Sequence, residues 1–168
     1  MLVIMVQVLL LELEFGLSTI KAFCDVYNKP CIGISSLEAL AHTVYEEDSY
    51  ICSLIDAKHD NVYASIFECN DEKYTKVLDF SFENIHELMK KIEIMKKKIF
   101  FVGNCGILYK DVIKSYMKSE ISFLEDTFAT SKYVGMTAFH KYQVGIFSDS
   151  FNLSALYLKN SSAEEAKK

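Results

Sequence analysis

Apolar positions change their period several times along this chain, and each change predicts an element boundary. From Leu17 to Tyr27 they recur every three to four residues. Leu17, Ile20, Phe23 or Cys24, and Tyr27 share one helical face, while Thr19, Ala22 and Val26 form a second stripe. Asn28-Lys29-Pro30 stops this helix, because proline disfavours helical backbone in the residue before it. Cys31 to Ile34 reads as a short buried strand. Ser35 or Ser36 then caps a second helix to about Tyr45, with Glu38 placed to complete a capping box. Both helices carry apolar or small residues on more than one face, so each has a second surface to cover, by core or by another subunit.

The polar break Glu46-Glu47-Asp48-Ser49 places a lobe boundary, and alternation with period two takes over beyond it. Tyr50 to Ala57, Val62 to Cys69 and Thr75 to Phe82 read as three strands. Lys58-His59-Asp60-Asn61 forms a hairpin-type turn between the first two, and Asn70-Asp71-Glu72-Lys73 forms the next. A helix capped near Asn84 comes after them, with Ile85, Leu88, Met89 and Ile92 on one face. Lys98 to Val102 is a strand, Leu108 to Met117 a helix, Ile121 to Leu124 a strand and Ser131 to Gly145 a helix. The order βββαβαβα predicts an α/β fold with a complete lobe at 49–159, preceded by a partial first lobe at 1–46. Asn160 to Lys168 reads as a disordered polar tail.

Composition narrows the chemistry. With 51% hydrophobic residues in 168, the chain can bury a substantial core. The net charge of -5 gives no broad electrostatic footprint for a polynucleotide. Every basic residue is lysine, so bidentate guanidinium forks for phosphate are lacking. Lys90-Lys91 and Lys96-Lys97-Lys98 read as solvated helix ends. Cys24, Cys31, Cys52, Cys69 and Cys105 form no C-x-x-C pair and read as buried thiols of a reducing cytoplasm. His42, His59, His86 and His140 lack the i,i+4 spacing that puts two imidazoles on one helical face, which disfavours a metal site. Met1 to Leu11 is apolar but too short to span a bilayer.

Two motifs keep two readings each. Gly103-Asn104-Cys105-Gly106, between a strand and a helix, could cradle a phosphate or simply make a tight turn. It lacks the Lys-Ser/Thr that a Walker loop requires. Asp56, at a strand end, is placed for metal or base chemistry, or for an Asx-type turn. Lys58 and His59 at the same tip are candidate partner contacts.

Gly33-Ile-Ser-Ser-Leu-Glu-Ala-Leu-Ala41 and Leu54-Ile-Asp-Ala-Lys-His-Asp-Asn-Val-Tyr-Ala64, at this spacing, resemble the TsaB (YeaZ) family. Phe101-Val-Gly-Asn-Cys-Gly106 and Leu156-Tyr-Leu-Lys-Asn-Ser-Ser-Ala-Glu-Glu165 extend the resemblance from Gly16 to about Glu165. Lys58-His59-Asp60 departs from the family's usual Arg-Arg-Gly, Lys159 stands for Arg, and Ser154-Ala155-Leu156 replaces a Leu-x-Pro lead-in. The resemblance implies a ribonuclease-H-like, actin-like (ASKHA) fold. It implies a non-catalytic scaffold that docks on the TsaD catalytic subunit, joined by TsaE. ATP and metal would sit on those partners, and tRNA would be engaged only indirectly, for threonylcarbamoylation of the adenosine beside the anticodon. The expected docking residues are Thr19, Ala22, Phe23 and Val26 of the first helix with Leu37, Leu40 and Ala41 of the second. Two other classes stay open: a superfamily enzyme, kinase-like or glycoprotease-like, and a self-associating module that forms homodimers.

The first fifteen residues do not fit the family. Members carry G-P-G-S-F-T-G-x-R-I-G ahead of the helix that matches Gly16-Leu-Ser-Thr-Ile-Lys-Ala22. Writing Met5 to Phe15 in AT-rich codons and shifting the frame yields that segment once one T is dropped. Residues 1–15 are therefore expected to be out-of-frame translation before a truncated first lobe. Sequencing the gene upstream is expected to show an intact in-frame start and no extra base at Phe15; upstream DNA without family-like coding in any frame overturns the expectation.

Overall fold

The computed structural model describes residues 2–4, 10–71, 73–125 and 127–158. The chain divides into two compact units: Met1–Thr43 with Phe128–Leu156, and Val44–Thr127 with Tyr157–Lys168. The expected boundary at 46–49 moves to Thr43/Val44. The expected extent of the second lobe, 49–159, is corrected: its final helix belongs to the first unit. Sequence order suggested a continuous run, but that helix finds its packing partners in the early elements. The expected tail at 160–168 lies outside the described residues.

In the first unit, β1 (Leu2–Ile4) pairs in parallel with β2 (Cys31–Gly33), Leu2 opposite Cys31 and Ile4 opposite Gly33. Between them runs α1 (Leu10–Tyr27), which begins ahead of the expected Leu17 and continues through Phe15 and Gly16. It ends in a left-handed cap. Asn28 has φ 49, Lys29 N–H donates to the Cys24 carbonyl at 2.9 Å, and Asn28 N–H donates to the Asp25 carbonyl at 3.2 Å. Ile20 and Cys24 of α1 pack with Cys31 and the partly buried Leu153. Helix α2 (Ser36–Ala41) carries the predicted capping box: Ser35 Oγ accepts from Leu37 N–H at 3.2 Å, and Glu38 Oε2 accepts from Ser35 N–H at 2.8 Å.

The second unit is built on β3 (Ser49–Asp56), β4 (Asn61–Asn70), β5 (Lys73–Asn84), β6 (Ile99–Val102) and β7 (Ile121–Phe123), in the spatial order β5-β4-β3-β6-β7. The three leading strands are antiparallel, whereas β6 joins β3 and β7 joins β6 in parallel, each after a helical crossover. Lys58, His59 and Asp60 at the first hairpin tip all have positive φ, of 64, 53 and 57. The core joins Cys52, Leu54, Ala64 and Ile66 of the sheet to helix α3 (Ile85–Ile92), whose Ile85, Leu88, Met89 and Ile92 are buried as their spacing predicts. Phe101 stacks on Phe123 with centroids 5.5 Å apart.

The helix expected over Leu108–Met117 is α5 (Lys110–Tyr116), and a short helix not expected, α4 (Asn104–Leu108), precedes it where the sequence suggests a tight turn. Beyond the second unit's last strand, α6 (Ser131–Gln143) closes with Gly145 at φ 75. Ile146 N–H donates to the Lys141 carbonyl at 2.9 Å, completing a Schellman cap.

Leu88→Ala removes a fully buried side chain from the second unit's core. It is expected to destabilise by about 2–5 kcal/mol, against about 1 kcal/mol for Ser35→Ala at the α2 cap. Urea titrations of the two variants measure the contrast.

Candidate protein-docking surface

Helix α1 turns Ile20 and Cys24 inward and leaves the opposite face uncovered within its own unit. Phe23 is 48% exposed and Val26 77%, with Phe15 and Tyr27 exposed beside them. The Phe23 and Tyr27 rings stack, centroids 6.3 Å apart, which orders two large apolar side chains in contact with water. Ala22 is exposed, and Thr19 is exposed with its hydroxyl donating to the Phe15 carbonyl at 2.8 Å. The structure therefore brings Thr19, Ala22, Phe23 and Val26 onto one exposed surface of α1.

The second helix behaves differently. Leu37, Leu40 and Ala41, expected at the same interface, are 3%, 2% and 0% exposed, which removes them from any surface. Helix α2 has only six residues and packs on α6, so its apolar side chains are consumed as core. Sequence reasoning missed a further set of exposed apolar residues, Met136, Phe139 and Tyr142 of α6 with Ile146 and Phe147 just past its end. The spacing of Met136, Phe139 and Tyr142 marks one helical face and was the available signal.

Other candidate sites resolve into structure. Gly103 has φ 94 and donates its N–H to Thr127 Oγ1 at 2.5 Å, so this amide is already engaged. A Cβ on Gly106 would meet the Phe101 backbone at 3.3 Å, which explains the second glycine as close helix–strand packing. Asp56 makes the Asx-type turn: Lys58 N–H donates to Oδ1 at 2.9 Å, and the Lys58 ammonium lies 2.5 Å from Oδ2. That ammonium and amide hold the carboxyl below its usual range. Lys58 and His59 are exposed at the tip.

All five cysteines are free and buried. Burial, reinforced by neighbouring Cys24, pushes the Cys31 thiol up to about 11, and burial pushes Cys105 up to about 12. Cys52 and Cys69 are raised by the same cause. Such thiols are poor nucleophiles. Among the described residues no cluster of three or more His, Cys, Asp or Glu is placed to hold a metal ion, and no helix is long and apolar enough to cross a membrane.

The sequence model of the family described as TsaD, tRNA N6-adenosine threonylcarbamoyltransferase, matches residues 9–162. The chain belongs to the TsaD family. Among solved structures, an uncharacterized Pseudomonas aeruginosa protein with similarity to peptidase YeaZ is similar, with a TM-score of 0.72 at 14% identity over 92% of this chain and 70% of that one. YeaZ from Pseudomonas aeruginosa gives 0.68 at 12% identity over 90% and 71%. At such identities the likeness is one of fold, and it gives this TsaD-family chain an actin-like, ribonuclease-H-like α/β architecture. No curated protein matches it in sequence.

Thiol labelling checks the burial of the cysteines. The native chain at pH 8 is expected to show no fast-reacting thiol, and five after denaturation; a rapid native reaction contradicts the assignment of inert core thiols.

Proposed function

We propose that this chain is a YeaZ-type (TsaB-like) accessory subunit of tRNA threonylcarbamoyladenosine synthesis, docking on the catalytic TsaD subunit through the exposed face of α1. The observation that carries the reading is the ordered apolar stripe of Phe23, Val26 and Tyr27 around the small Ala22, in a TsaD-family chain with a YeaZ-like fold. A small residue flanked by large apolar ones lets a partner helix approach closely and gives it anchors to pack on. The stripe lacks charged side chains at its centre, as the buried middle of a protein interface does.

In this arrangement the subunit contributes binding energy and orientation, while the partner supplies nucleotide, metal and reacting groups. TsaE joins the assembled pair with ATP, in the cytoplasm, and tRNA is met by the complex rather than by this chain alone. Of the expected docking residues only those of α1 supply the contact, since Leu37, Leu40 and Ala41 are committed to core.

Ala22→Arg and Val26→Asp are expected to abolish co-purification with TsaD, each weakening affinity by about 2 kcal/mol or more, roughly thirtyfold. Both sites are exposed, so circular dichroism and urea midpoints should stay near those of the parent chain. Undiminished association in both variants rejects the α1 surface. If sizing shows the same substitutions splitting a homodimer while TsaD binding persists, the surface serves self-association instead.

A further inference from the structure

Polar side chains from two helices of the first unit converge where α2 meets α6. Glu38 and His42 stand one turn apart at α2 and its C-cap, facing Thr137, His140 and Lys141 of α6. Both Glu38 oxygens are engaged: Oε2 accepts from Ser35 N–H at 2.8 Å, and Oε1 lies 2.7 Å from the Lys141 ammonium. Lys141 also donates to the Gly33 carbonyl at 3.0 Å, tying β2, α2 and α6 together.

His42 is the titratable centre of this contact. Its Nδ1 lies 3.0 Å from the Glu38 carbonyl and 3.1 Å from Thr137 Oγ1. A carbonyl can only accept, and the Thr137 hydroxyl proton is committed to the Tyr133 carbonyl at 2.8 Å. Nδ1 therefore carries the ring proton, and Nε2 is the basic nitrogen of the neutral ring. The His140 ring sits 6.2 Å away, centroid to centroid.

We propose that the His42 ring, held between α2 and α6 as its Nδ1–H tautomer, is an acid-sensitive clasp whose protonation at Nε2 loosens the packing of α6 on α2. The added charge would sit in a largely buried ring, opposite the Lys141 cation and His140. Burial lowers the affinity of this imidazole for a proton, and His140 and Lys141 act the same way; the Glu38 carbonyl and carboxylate oppose them. The unfolded chain takes up the proton in the ordinary imidazole range, about 6.5, while the folded chain resists it. The unfolded state therefore binds more protons over that interval, and the clasp's stability, complete above it, falls as pH drops until the folded form is protonated too. The device stands independently of the docking role proposed above.

Nuclear magnetic resonance of the full chain between pH 8 and 5 tests it. At neutral pH His42 Nε2 is expected to show the shift of an unprotonated ring nitrogen. Its titration midpoint should lie below that of histidine in a short unstructured peptide, with amides of α2 and α6 moving at the same midpoint. His140→Gln should raise that midpoint, and His42→Gln should remove the fall in urea midpoint seen between pH 7 and 5.5. An unprotonated Nδ1, a midpoint at or above the peptide value, or titration without movement of α6 overturns the proposal. Should His42→Gln fail to fold, the spectra of the unsubstituted chain decide alone.

Discussion

Strand β3 is hydrogen bonded along both of its edges, antiparallel to β4 and parallel to β6, and the second unit is arranged around that fact. An antiparallel neighbour can be reached by a tight turn, but a parallel one needs a crossover long enough to hold a helix. The switch of direction at β3 therefore dictates hairpins on one side and helices on the other. Ile51, Cys52, Ser53 and Leu54 are consecutive and all buried, as befits a strand covered on both faces. The inward face meets α3 and α5, so Leu54, Ile66, Leu88 and Ile113 form one core. The Gly103 turn and the Asp56 tip lie at strand ends because the sheet puts them there, and their polar groups are spent on holding that geometry.

The first unit depends on fewer contacts. Among the described residues, a two-stranded parallel sheet, three helices and the return of the chain after Thr127 supply its interior. Cys31 and Ser148 exchange both backbone hydrogen bonds, at 2.9 and 2.8 Å, so β2 gains a partner on the edge away from β1. Glu38 links local and distant order in one side chain, since it caps α2 and pairs with a lysine more than a hundred residues later in the chain. With little interior to spare, α2 gives its apolar residues inward while α1 keeps a whole face outside.

Much of this was legible in the sequence because it is local. The capping box at Ser35 and Glu38, the stop at Asn28-Lys29-Pro30, the hairpin at Lys58 to Asn61 and the buried stripe of α3 each arise from neighbours within a few residues. The α/β class came from the order of such pieces. What the sequence hid is long-range. Nothing near Ser131 announces that α6 joins the early elements rather than the strands that precede it. For the same reason the fate of Leu37, Leu40 and Ala41 was invisible: an apolar face reads alike whether a distant helix of the same chain covers it or another protein does. The short helix α4 was also hidden, because Gly103-Asn104-Cys105-Gly106 reads as turn chemistry and the Gly106 approach to Phe101 is a tertiary contact.

The hairpin tip at Lys58-His59-Asp60 sets a limit on drift in this protein. Three successive residues with side chains hold left-handed backbone, a conformation that branched side chains enter only with strain. His59 and Asp60 are thereby confined in shape rather than in charge, whereas Lys58 is held also by its ion pair with Asp56. Lineages can trade acid for base at His59 and Asp60 or add glycine there, and so retune what the tip meets, yet valine, isoleucine and threonine are disfavoured at all three positions by geometry. This exposed tip can thus vary part of its chemistry while its outline stays fixed.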